Sequence, residues 1–192
     1  MAKLIGLKKI KTAVFISGNG SNLKSLYNFS LSKKSPIEIK LVISDNKDAK
    51  GLNFSKKNKL KTKVYNFKKD NEYQIIKYLI KNNIDLICLA GFMRILSANF
   101  IKKFGGKILN IHPSLLPKYK GLNTHQRAIN NNEKFSGCTV HLVTSKLDSG
   151  KIILQKKVKI FKKDDYLSLS KRILKQEHTL YPQAIIKLFS NL

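Results

Sequence analysis

The chain has 192 residues, 42% of them apolar, and a formal charge of +27. That supports one domain with its own core, spanning 1–192, and excludes a disordered chain. No run of eighteen apolar residues occurs, so no membrane-spanning helix is predicted. The opening residues reach Lys8, Lys9 and Lys11 too soon for a signal peptide. A cytoplasmic protein is expected, with no membrane partner.

The charge alone suggests a polyanion partner. However, only Arg94, Arg127 and Arg172 are arginine among 38 basic residues, and the lysines are spread along the whole chain. Sequence-reading nucleic-acid sites lean on arginine forks. With Lys, Asn and Ile all abundant, the excess reads as compositional drift, and no specific nucleic-acid partner is expected. A positive field that draws in anionic small molecules is compatible with it. Cys88 and Cys138 are too few for a disulfide framework and are read as reduced thiols. No Cys/His spacing suggests zinc.

In chain order, residues 10–17 read as a strand, followed by a glycine-rich turn and a helix at 21–29. A second strand is predicted at 37–44, a short helix at 49–57 and a third strand at 63–67. Residues 71–81 carry helical spacing through Ile75, Ile76, Leu79 and Ile80. Residues 84–90 are an apolar strand of the kind found inside a parallel sheet. A helix at 97–104, a strand at 107–111, a loop at 112–122 and a helix at 124–131 follow. Strands at 138–144 and 151–161 are expected to form an antiparallel hairpin about a tight turn, Asp148-Ser149-Gly150. The last helix is predicted at 164–189, capped by Asp164 or Asp165 and kinked or divided at Pro182.

The alternation predicts an α/β fold with an open, twisted, Rossmann-like sheet and helices on both faces. The sheet is expected to be mostly parallel in its N-terminal half, with the antiparallel hairpin in its C-terminal half. Ligands of such sheets sit at the C-terminal ends of the strands, near the switch in strand order.

Three motifs fall at such places. Ser17-Gly18-Asn19-Gly20-Ser21-Asn22 lies between a strand and a helix, where backbone N–H groups can converge on one phosphate. It lacks the third glycine of a dinucleotide fingerprint and the Gly-Lys-Ser/Thr of a P-loop. Asn110 and His112 leave a strand on the same side. An amide donor beside an imidazole can hold a carbonyl oxygen as it gains charge, and the imidazole can pass a proton. Asp148 has His141 upstream and Gly150 after it, and taken alone it reads as a turn residue. A nearby imidazole would make it an orienting carboxylate.

The chain resembles the phosphoribosylglycinamide formyltransferase family. The likeness is carried by residues 18–23, by 89–96, by 110–121 and by a run from Gly137 to Gln155 that includes Val143, Asp148 and Gly150. The resemblance implies formyl transfer from 10-formyltetrahydrofolate, as co-substrate, to the amine of phosphoribosylglycinamide, in purine biosynthesis. It implies Asn110, His112 and Asp148 as the catalytic trio. It implies Gly20, Ser21, Asn22 and Glu177 as ribotide contacts, and Met93, Arg94, Ile95, Leu96, Asn110 and Val143 as folate contacts. No metal is implied. Three positions depart from the family pattern: Lys120 stands where proline is usual, Asn123 where histidine is usual, and Lys68 or Lys69 replaces an upstream basic residue. The oligomer is left open between monomer and homodimer. Other readings are a methionyl-tRNA formyltransferase or a formyltetrahydrofolate hydrolase, each expected to need a further domain, and a lysine-rich nucleic-acid-binding module.

Overall fold

The computed structural model describes residues 9–67 and 72–190. Lys68 and Lys69 lie outside the described residues, and so does Asn71, where the third helix was expected to begin.

Seven strands form one sheet. They are β1 (Ile10–Ile16), β2 (Ile37–Ser44), β3 (Lys61–Val64), β4 (Leu86–Leu89), β5 (Lys107–His112), β6 (Phe135–Leu142) and β7 (Ile152–Lys159). Their order is β3-β2-β1-β4-β5-β6-β7. The first five run parallel; β6 is antiparallel to β5 and β7 to β6. The helices are α1 (Ser21–Ser30), α2 (Lys50–Lys57), α3 (Glu72–Lys81), α4 (Ala98–Phe104), α5 (Thr124–Asn130) and α6 (Tyr166–Phe189). The predicted fold class is the one observed.

Two apolar layers cover the sheet. One joins α1, α2 and α6 to Val14, Cys88, Leu109 and Val140. The other joins α3 and α4 to Phe15, Ile87, Leu89 and Ile108. Consecutive strand residues feed opposite layers, which is why β4 is buried at all four positions. Burial pushes both thiols, Cys88 and Cys138, up to about 12, so they behave as small apolar groups.

Four expectations need correction. The β6–β7 connection is no tight turn: it runs through residues 143–151, with a bulge between Val140 and His141. A long loop lets Asp148 reach β5 and places it at φ 43, which aspartate tolerates better than most residues. Gly150 lies where any Cβ would come within 1.7 Å of the Leu142 carbonyl oxygen, so only glycine fits. β6 also begins at Phe135, earlier than expected, because Phe135 and Ser136 still pair with β7. The third strand is Lys61–Val64 rather than 63–67, because pairing with Leu41 to Ser44 outweighs the apolar tail of the segment. Pro182 lies within a continuous α6. Proline has no N–H for the His178 carbonyl, and the Ser25 hydroxyl on α1 donates to that carbonyl instead, at 2.7 Å. Asp165 is the N-cap, in a reciprocal box with Ser168, while Asp164 pairs with Arg172.

Candidate active site

The strand order reverses between β1 and β4. The loops that leave these two strands are tied together there, the Met93 N–H donating to Ser17 Oγ at 2.8 Å. On the β1 side, Gly20 takes φ 71, and a Cβ there would lie 2.7 Å from the Gly51 Cα. Glycine thus allows the turn to close against α2 while α1 begins at Ser21. Asn22 and Glu177 meet across α1 and α6, the Asn22 amide donating to the Glu177 carboxyl at 2.7 Å. Burial pushes Glu177 up to about 7, only partly opposed by the Asn22 bond. Among the described residues, Asn22 Oδ1 and His178 Nε2 are buried with no hydrogen-bond partner. Buried polar atoms of this kind suit a site that a polar ligand completes.

Asn110 is level with Leu89, the last residue of β4, and His112 projects two residues beyond it. Antiparallel pairing sets His141 of β6 opposite Asn110. His112 Nδ1 lies 3.4 Å from Asp148 Oδ2, and His141 Nε2 lies 3.6 Å from Asp148 Oδ1. The structure therefore brings Asn110, His112 and Asp148 together, although 38 residues separate the first from the last.

Hydrogen-bond partners fix the proton positions. His112 Nε2 faces the Tyr119 carbonyl at 2.9 Å, and a carbonyl only accepts, so this nitrogen carries the proton. His141 Nδ1 likewise donates to the Leu142 carbonyl at 2.9 Å. Its Nε2 lone pair then accepts one Asn110 amide hydrogen at 3.2 Å. The second amide hydrogen is loosely held, 3.5 Å from Asp148 Oδ1. Turned the other way, the amide oxygen would face a lone pair and a carboxylate.

Burial lowers the basicity of His112; the Tyr119 carbonyl and Asp148 push the other way without overcoming it. Burial pushes Asp148 up, but the neighbouring His141 imidazole, the bond from the Gly121 N–H and the His112 imidazole bring it below the usual carboxylate range. Asp148 is thus charged and His112 neutral near pH 7. A proton arriving at Nδ1 would make an imidazolium facing that carboxylate.

The segment after β4 is split by its surroundings. Met93 and Ile95 are 66% and 73% exposed, whereas the Leu96 side chain belongs to the core. Leu96 has mainly backbone to offer a ligand. Arg94 donates to Asp45 Oδ2 at 2.7 Å, which ties the segment to the end of β2. Val143 packs against the same core layer, and its N–H bonds Ile108. Leu122 and Leu147, 72% and 50% exposed, flank the loops that hold Asp148. Among the departures, Asn123 takes φ 57, a left-handed conformation that asparagine accepts readily, and Lys120 bonds Ser149. Among the described residues, no group of three or more His, Cys, Asp or Glu side chains is arranged to hold a metal.

His141, noted in the sequence only as lying upstream of Asp148, joins the site, and so do Tyr119 and Gly121. The first enters through strand register. The other two act through a carbonyl and an N–H, which every residue has and no side chain advertises.

An amide, an imidazole and a carboxylate at the end of a strand, beside a glycine turn that opens a helix, are the groups a group-transfer enzyme acting at a carbonyl uses. Residues 10–185 match the formyl transferase family, and the chain belongs to it. It is 45% identical over 185 residues to phosphoribosylglycinamide formyltransferase of Haemophilus influenzae, covering 94% of this chain and 87% of that protein. It is 42% identical to the human trifunctional purine biosynthetic protein adenosine-3 over 93% of this chain. It spans only 18% of that relative's length. Among solved structures, phosphoribosylglycinamide formyltransferase from Brucella melitensis superposes with a TM-score of 0.88 at 43% identity, covering 95% of this chain and 96% of that one. The enzyme of that name from Bacillus halodurans gives 0.89 at 34% identity, covering 94% and 95%.

Proposed function

We propose that the protein transfers the formyl group of 10-formyltetrahydrofolate to the amine of 5-phosphoribosylglycinamide. The products are the N-formylglycinamide ribotide and tetrahydrofolate, and the step belongs to purine biosynthesis. The observation that carries this reading is the Asn110–His112–Asp148 cluster at the strand ends. The turn at Gly20, Ser21 and Asn22 beside Glu177 supplies the reading of the acceptor.

In this reading the ribotide phosphate takes the N–H groups of the turn at the start of α1. Glu177 and Asn22 Oδ1 receive ribose hydroxyls. The folate lies along Met93 to Leu96, with Val143 and the loop to Asp148 closing its pocket. The amine attacks the formyl carbon, and the carbonyl oxygen gains charge. The loosely held Asn110 hydrogen is placed to donate to that oxyanion. His112, protonated in the course of the step, offsets its charge, and Asp148 stabilises the imidazolium. The amine proton is relayed to the leaving nitrogen of the folate, which departs as tetrahydrofolate. No step in this chemistry calls for a metal.

The cytoplasm suits the unpaired, buried Cys88 and Cys138, which need no oxidising compartment. Two small-molecule substrates are sufficient partners, for a monomer or a homodimer. The test is folate absorbance on mixing enzyme, 10-formyltetrahydrofolate and ribotide. Turnover that requires the ribotide is expected; equal turnover without it would make the protein a hydrolase.

A further inference from the structure

Two members of the trio are held by one short segment. His112 Nε2 donates to the Tyr119 carbonyl at 2.9 Å, and the Gly121 N–H donates to Asp148 Oδ2 at 2.9 Å. Tyr119 and Gly121 take φ of 56 and 76, and the segment belongs to no helix or strand. A left-handed tyrosine is costly by itself, because its Cβ crowds the following carbonyl oxygen. Something outside the segment has to hold it.

Two side chains do so. Arg127 of α5 donates through Nη1 to the Lys120 carbonyl at 2.7 Å and to the Leu122 carbonyl at 3.3 Å. Its guanidinium also lies over the Tyr119 ring, 5.2 Å from the centroid. Glu133 Oε1 accepts from the Tyr119 hydroxyl at 2.9 Å and from Lys118 Nζ at 2.8 Å. Only three of 38 basic residues are arginine, so arginine at 127 stands out. A lysine there could not reach two carbonyls and stack on the ring together.

We propose that Arg127 and Glu133 are positioning residues: they clamp residues 118–122 so that one backbone segment aims His112 and Asp148 together. Neither touches the reacting groups. The inference rests on the formyl-transfer reading only for its kinetic readout. The charged and titratable groups around His112 are Asp148, His141 of β6, and His125 and Arg127 of α5, with Tyr119 on the segment itself. Arg127 is a cation, so it opposes protonation of His112, weakly because it is on the surface.

The experiment compares the parent with Arg127→Lys and Arg127→Ala. It measures kcat, both KM values and the titration of the His112 imidazole by NMR, which needs no turnover. Both variants are expected to lose about tenfold in kcat with little change in either KM, as a misaimed catalytic group would cause. The His112 midpoint is expected to fall in both variants, because the Tyr119 carbonyl and Asp148 that hold it up are no longer aimed at the ring, and this outweighs the weak effect of the Arg127 charge. Parent-like kcat in both variants would overturn the proposal, as would full recovery of rate by lysine. Should the parent itself not turn over, the formyl-transfer reading fails separately. A midpoint that does not fall in Arg127→Lys, where the charge is kept, then overturns this proposal on its own.

Discussion

Asp148 is where sequence and structure differ most in what they say about one residue. In the sequence it has the profile of a turn aspartate. In the structure it accepts from Gly121 and faces two imidazoles, and it remains charged although it is largely buried. Asp148→Asn is expected to keep the fold and to lose roughly 10²–10⁴-fold in kcat, the usual worth of positioned proton transfer. Wild-type turnover by a folded Asp148→Asn protein would return the residue to a local role. Glu177 yields a second prediction. Its proton is held to about 7 in the folded protein, against an ordinary 4.5. The stability this contributes is present below 4.5 and is lost as pH rises through 7. Glu177→Gln removes the charge, so it is expected to melt above the parent at about pH 8 and close to it at about pH 5. An equal difference at both pH values would mean that the carboxyl is not titrating in this range. Asn110 and His112 were legible because their spacing puts two suitable side chains on one face of a strand. The place of His141 opposite Asn110 was not, because a register cannot be read along one strand.

The elements were legible where a segment's own pattern decides its structure. β1, β2 and β4 are short apolar runs, and α3 repeats its apolar positions at helical spacing. Errors fell where a neighbour decides. β3 is an edge strand whose position follows from β2, and the β6–β7 connection is a long loop that carries Asp148 to β5. Pro182 is the clearest case, since the partner that replaces its missing N–H is on another helix. Ser25→Ala leaves the His178 carbonyl without that donor and is expected to cost about 1–2 kcal/mol. Pro182→Ala restores an N–H within α6, so the loss on changing Ser25 is expected to shrink in that background. A thermal or urea double-mutant cycle reads the coupling, expected near 1 kcal/mol. Additive effects would show that the hydroxyl does not stand in for the helix bond.

At the scale of the molecule, the lysines that give the charge of +27 are spread along the whole chain, whereas the candidate site occupies one end of the sheet. The ion pairs seen involve Asp45, Asp164, Glu133 and Glu38, and leave most lysines to repel one another. Screening is therefore expected to raise the melting temperature by a few degrees between about 0.05 M and about 0.5 M salt. A fall over that range would mean that pairing outweighs repulsion. The site, by contrast, depends on a few neutral and anionic groups at the reversal of strand order, a place fixed by topology and not by composition. The most direct measurement supplies 10-formyltetrahydrofolate labelled with carbon-13 at the formyl group, together with the ribotide, and follows the label by NMR. The label is expected in the amide of the N-formylglycinamide ribotide, and Asp148→Asn is expected nearly to abolish the transfer. Label released as formate, or left on the folate, would contradict the proposed transfer.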